Sequence, residues 1–120
     1  MDLKLRGKTA IVTGSTAGIG FAIARRLADE GVEVVITGRN QQKLDEAAAE
    51  LSKSGAIRAI LADPATAEGA ETLIAAVPAT DILVNNLGIY EAKPFTQISD
   101  ADWHHIFEVN VVSEIGRAHV

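Results

Sequence analysis

The chain contains no cysteine. That excludes a disulfide framework and any thiolate metal site. It also lacks a run approaching the roughly 20 apolar residues that cross a bilayer, and the opening MDLKLRGKTAIVTG has too short an apolar segment for a secretory signal. Positive charge is sparse and scattered: 11 Lys and Arg stand against 16 Asp and Glu, a formal charge of −5. Nucleic acid or an anionic membrane would select a concentrated basic face, so neither partner is expected. Internal repeats, linkers and low-complexity stretches are missing too. What remains is 120 residues, 48% hydrophobic and 22% charged. That is the composition of one modest soluble domain with a real core, for which a cytoplasmic setting is the default.

Two patterns alternate along it. TAIVT (Thr9–Thr13) is a short β-branched, apolar run before a glycine, and reads as a strand buried on both faces. From Gly18 the spacing turns helical. Ile19, Ala22, Ile23, Ala24, Leu27 and Ala28 form a broad apolar side, Arg25, Arg26, Asp29 and Glu30 lie mostly opposite, and Gly31 supplies the stop. VEVVITG (Val32–Gly38) is a second buried strand. Asn40 can cap a helix carrying Leu44, Ala47, Ala48 and Leu51 that ends near Gly55. AIRAIL (Ala56–Leu61) is a third strand, less apolar because of Arg58. After Asp63-Pro64 comes an alanine-rich helix with Leu73, Ile74 and Val77, stopped by Pro78. DILVNN (Asp81–Asn86) is the fourth strand, and Ser99 caps a last helix whose Trp103, Ile106, Phe107 and Val111 are expected to face inward. Hydrophobic strands alternating with helices at this spacing imply βαβ units with right-handed crossovers. The fold class is α/β, a doubly wound parallel sheet of about four strands.

The stretch TGSTAGIG (Thr13–Gly20) sits where the first strand turns into the first helix. A pyrophosphate needs backbone N–H groups pointing at it and the positive end of a helix dipole beneath it. Gly14 permits a tight turn, Gly18 a close approach, and Gly20 close packing of helix on strand. Ser15, Thr16 and Ile19 share the loop and join the glycines as candidate cofactor contacts. Glycines can equally well only tighten a surface turn, but here a strand precedes and a helix follows, which is the context the motif requires.

The spacing is Gly-x-x-x-Gly-x-Gly, and Thr-Gly-x-x-x-Gly-Ile-Gly resembles the short-chain dehydrogenase/reductase superfamily. NNLG (Asn85–Gly88) resembles that family's Asn-Asn-Ala-Gly motif, with Leu87 in place of alanine, and DADWHHIFEVNVVS (Asp100–Ser113) resembles the helix that follows it. Three motifs in order span most of the chain. The resemblance implies a Rossmann fold over residues 1–113, a nicotinamide dinucleotide cofactor, and hydride exchange with a small carbonyl or secondary alcohol substrate. It implies that Asp63 accepts from the adenine amino group, that Asn85 and Gly88 line the adenosine side of the cleft, and that Asn110 is the asparagine of the catalytic tetrad. In the family that asparagine holds a water connecting the catalytic lysine to solvent. On residues alone Asp63 could be a helix cap before Pro64, and Asn110 a polar residue bonding nearby backbone. By the same resemblance the parent is a homodimer or homotetramer.

A ribose 2′-hydroxyl is usually held by an acid at the end of the second strand, whereas a 2′-phosphate needs a cation. This chain reads ITGRN, with Gly38 where the acid would lie and Arg39 next. The planar guanidinium suits phosphate oxygens, which favours NADP(H) over NAD(H). Arg39 as a solvated loop residue is the alternative. His104 and His105 are neighbours on a helix, so their side chains diverge by about 100° and cannot chelate one ion together. Trp103 reads as a packing residue, and Asp45, Glu46 and Glu50 with Lys43 and Lys53 as a solvated helix face.

The family's Ser, Tyr and Lys lie downstream of the Asn110 position, the lysine four residues after the tyrosine. Tyr90 has Pro94 at that distance, and no Tyr-x-x-x-Lys occurs in the chain. The 120 residues are therefore expected to lack reductase activity. A noncatalytic NADP(H)-binding or sensing module is the alternative, and a flavodoxin-like phosphate-binding domain is disfavoured by the glycine spacing and NNLG. The closing EIGRAHV (residues 114–120) does not resemble the family's continuation. It matches a translation of GAG ATC GGA AGA GCA CAC GTC, which resembles a common sequencing adapter, so these residues are expected to be a non-native read-through tail. Without a fifth strand, DILVNN would be a bare apolar edge, and the last helix would lack its packing partners.

Overall fold

The computed structural model describes residues 2–88 and 92–112. Its elements run β1 (Thr9–Val12), α1 (Gly18–Asp29), β2 (Glu33–Gly38), α2 (Gln41–Leu51), β3 (Ile57–Leu61), α3 (Ala67–Ala76), β4 (Ile82–Val84), a short 3₁₀ turn (Phe95–Gln97), α4 (Asp100–Phe107) and a π-helical segment (Glu108–Val112). The four strands pair in parallel in the order β3-β2-β1-β4. Ala10, Ile11 and Val12 stand beside Val34, Val35 and Ile36 on one side of β1 and Ile82, Leu83 and Val84 on the other.

Successive strand residues point to opposite faces, and the core divides accordingly. Ala10, Val12, Val34 and Ile36 pack with Ala24 and Ala28 of α1 and Leu44, Ala47 and Leu51 of α2. Ile11 and Val35 point the other way, onto Leu73 of α3 and Val77. Helices on both faces of central strands explain why β1 and β2 have no polar side: neither face meets water.

The helix ends follow local chemistry. The Asn40 side chain accepts from the Lys43 N–H, and Thr66 accepts from Gly69. Ser99 accepts from the Asp102 N–H while Asp102 accepts from the Ser99 N–H, a closed capping box. Asp63 is not the cap of α3. Its Oδ1 accepts the Ala65 N–H at 3.0 Å in a tight side-chain turn, three residues ahead of the capping Thr66.

The last helix has the apolar side that its spacing predicts, turned largely to solvent rather than inward. Trp103 is 57% and Phe107 58% exposed, and Val111 also faces solvent; only Ile106 of the four is partly covered. Most of this apolar side is therefore exposed among the described residues. Among them, β4 pairs with β1 alone, which makes it an edge strand.

Candidate functional site

The sheet order creates the site. From β1 the chain moves one way to β2 and β3, then crosses back over β1 to β4, so the connections diverge at the carboxyl ends of β1 and β4. Open α/β sheets bind ligands at such a switch point. A cleft of about 450 Å³ lies there, walled by Gly14, Thr16, Thr37, Gly38 and Arg39 on one side and Leu87, Gly88, His105, Glu108 and Val109 on the other, with Asp63 and Asn86 between.

The loop from β1 to α1 holds its shape through glycine. Gly14 and Gly18 both have φ of 61°, the left-handed region that side chains resist. A Cβ on Gly14 would collide with the Asn86 carbonyl oxygen, and one on Gly20 with the Gly14 carbonyl. A Cβ on Gly18 would meet nothing within 4 Å, so this glycine leaves space in front of the helix. The N-cap of α1 is Ala17, with no side-chain hydrogen bond, and its first turn carries no acid. The helices α2, α3 and α4 are capped by Asn40, Thr66 and Ser99. The leading amides of α1 thus keep their donors, and the dipole end, available to an anion.

Not every candidate loop residue reaches the cleft. Ser15 is fully buried; its Oγ accepts the Thr37 N–H at 3.1 Å and ties the loop to β2. Thr16 lines the cleft, Ile19 is 72% exposed on the first turn of α1, and Gly20 is buried against Gly14. At the end of β2, a Cβ on Gly38 would stand 2.8 Å from Thr16 Cγ2, so an acidic side chain there would displace Thr16. Arg39 lines the same wall and is exposed.

On the opposite wall the two asparagines separate. Asn85 lines a smaller hollow of about 50 Å³, together with Leu83, and is absent from the cleft wall. Asn86 faces the cleft instead. Its N–H donates to Thr13 Oγ1 at 2.8 Å and its side-chain amide to the Gly14 carbonyl at 3.3 Å, locking the end of β4 to the glycine loop. The period-two alternation of a strand was the available signal: Leu83 and Asn85 share one face, Val84 and Asn86 the other. Asn110 sits in the π-helical segment, its Oδ1 3.4 Å from where a Cβ on Gly88 would lie. π-Bulges cluster at functional sites because the extra residue re-aims side chains, and spacing gave no hint of one. His105 lines the cleft and His104 does not. Among the described residues no His, Cys, Asp and Glu group could hold a metal. Tyr90 and residues 113–120 lie outside the described residues.

Away from the cleft, Lys93 Nζ lies 3.0 Å from Asp102 Oδ2. The Ser99 N–H and hydroxyl, with Lys93, push the Asp102 carboxyl down to about 2. This joins the loop after β4 to the start of α4. The cleft itself offers amide donors, an arginine, and a carboxylate with one oxygen beyond its own turn. That set can hold a phosphorylated dinucleotide.

A model of the short chain dehydrogenase family matches residues 8–118. An uncharacterised oxidoreductase of Bacillus subtilis, YvaG, is 47% identical over 118 residues, 96% of this chain and 45% of its own length. The 3-oxoacyl-(acyl-carrier-protein) reductase of Aquifex aeolicus is 38% identical, over 92% of this chain and 47% of its own. Among solved structures, L-sorbose reductase from Gluconobacter frateurii, complexed with NADPH and L-sorbose, superposes with a TM-score of 0.89 at 34% identity, covering 99% of this chain and 48% of that one. The chain spans about half the length of the relatives it matches.

Proposed function

The chain belongs to the short-chain dehydrogenase family, and from that premise we propose that it is the dinucleotide-binding portion of an NADP(H)-preferring oxidoreductase. The parent exchanges a hydride between the nicotinamide and a small carbonyl or secondary alcohol. The observation that carries this reading is that Gly14, Thr16 and Ala17, the loop leading into the uncapped N-terminus of α1, line one cleft together with Arg39 and a side-chain-free Gly38. The amides and the space before Gly18 suit a diphosphate; Arg39 and Thr16 suit a 2′-phosphate. Asp63 holds the base amino group with the carboxylate oxygen its own turn leaves over. The bound nicotinamide supplies the hydride chemistry. This chain's residues bind and orient it, and Asn110, next to Gly88, takes the tetrad role.

The same reading extends to the remaining parts. Residues 1–113 form the native nucleotide-binding region, and 114–120 are a read-through tail, although the family match runs to residue 118. The downstream Ser, Tyr and Lys come from the missing half, so the 120 residues alone transfer no hydride. The exposed side of α4 is the surface through which the parent assembles as a homodimer or homotetramer. No helix among the described residues is long and apolar enough to cross a membrane, and a cytoplasmic setting fits the reading. The test is cofactor oxidation by the full-length gene product against a panel of small carbonyls. Turnover with NADPH well above that with NADH is expected; turnover with neither, by folded protein that binds both, would sink the enzyme reading.

A further inference from the structure

We propose that Leu87, with Pro64, sets the depth of the base-binding end of the cleft and excludes nucleotides substituted on the exocyclic amino group of the base. The inference rests on the dinucleotide reading above. Two hollows lie back to back, the cleft of about 450 Å³ and the smaller one of about 50 Å³. Pro64 and Leu87 line both, so together they are the partition between them. Beyond the partition the walls are mainly carbon, from Ala70, Leu73 and Ile74 on α3 and Leu83 on β4.

Pro64 follows directly on Asp63, the residue assigned to the base amino group, so a substituent on that nitrogen meets the partition. Leu87 stands where the family resemblance expects alanine. Its isobutyl group carries no polar atom, and trimming it strands no hydrogen-bonding partner while joining the two spaces. The small hollow then becomes an extension of the cleft, apolar enough for a short alkyl group and too small for a second ring.

The test uses the full-length protein, NADPH, and the NADPH analogue carrying an ethyl group on the adenine amino nitrogen, with dissociation constants from calorimetry. The unaltered protein is expected to favour NADPH by about tenfold or more, the usual cost of forcing an extra alkyl group into a closed pocket. In Leu87→Ala the two affinities move in opposite directions: NADPH weakens as the base loses an apolar neighbour, the analogue tightens, and their ratio narrows by about tenfold. Leu87→Val, a smaller trim, gives an intermediate ratio and serves if the alanine variant melts at assay temperature. A ratio unchanged in a folded variant, or equal affinities in the unaltered protein, overturns the partition and leaves the dinucleotide reading standing. Failure of every protein to bind NADPH overturns both.

Discussion

The glycine loop separates two kinds of requirement, and substitution by alanine tells them apart. At Gly14 the new methyl faces two obstacles. The backbone sits at φ 61°, which costs an L-residue about 1–2 kcal/mol, and the Cβ falls on the Asn86 carbonyl. Relieving that overlap by backbone movement adds about 1–3 kcal/mol and disturbs the Asn86-to-Thr13 bond. Gly14→Ala is therefore expected to lose about 2–5 kcal/mol, a large share of the ~5–15 kcal/mol that holds a domain folded. At Gly18 the φ is the same but the Cβ meets open space, so only the backbone term of about 1–2 kcal/mol applies. The methyl instead occupies the approach to the α1 amides. Losing one charge-assisted hydrogen bond there costs about 1.5–3 kcal/mol, or roughly 10- to 150-fold in dinucleotide affinity. Urea unfolding and NADPH calorimetry on both variants of the full-length protein read the two quantities. Equal destabilisation of the two, or unchanged NADPH affinity in folded Gly18→Ala, would refute this division of labour.

Arg39→Asp is expected to weaken NADPH by about tenfold or more while leaving NADH within a few-fold, since only the 2′-phosphate loses its cation; a parallel loss of both would show that Arg39 does not read the phosphate. Ser15→Ala leaves the buried Thr37 N–H without its acceptor and should cost about 1–3 kcal/mol in urea unfolding; a variant as stable as the parent contradicts that. Because the folded Asp102 carboxyl has its pKa lowered to about 2, below its ordinary 3.8, its stabilising contribution is present above pH 3.8 and disappears as pH falls toward 2. Melting curves of Asp102→Asn should therefore diverge from the parent above that window and converge below it, and a constant gap counts against the assignment. Expressed as 120 residues, the chain should self-associate through the β4 edge and the exposed Trp103 and Phe107; a monodisperse monomer with cooperative thermal unfolding contradicts this.

Legibility from residues followed the distance over which each feature is determined. The buried strands, the Asn40 and Ser99 caps and the parallel class rest on local pattern, and all are observed. For Asp63 the alternative to the adenine role, a helix cap before Pro64, does not hold: its carboxylate closes a turn on Ala65 and the helix is capped by Thr66, a choice made by three-residue geometry. The place of Asn86 is legible in part: alternation separates it from Asn85, but which of the two faces meets the glycine loop is decided by tertiary packing. The apolar side of α4 is legible from periodicity, which reports what a helix face could bury; the exposure of Trp103 and Phe107 agrees with a helix that lacks its packing partners. The π segment around Asn110 leaves no mark in spacing. Positions in the cleft wall such as His105 and Glu108 are joined to it only by tertiary packing.

The most direct measurement is a titration of the isotopically labelled full-length protein with NADPH, following backbone amide resonances. Saturable shifts concentrated at residues 14–20 and at Arg39, with NADH giving weaker binding at the same loop, are the expected result. Absence of nicotinamide nucleotide binding, or binding that leaves those amides unmoved, would contradict the account.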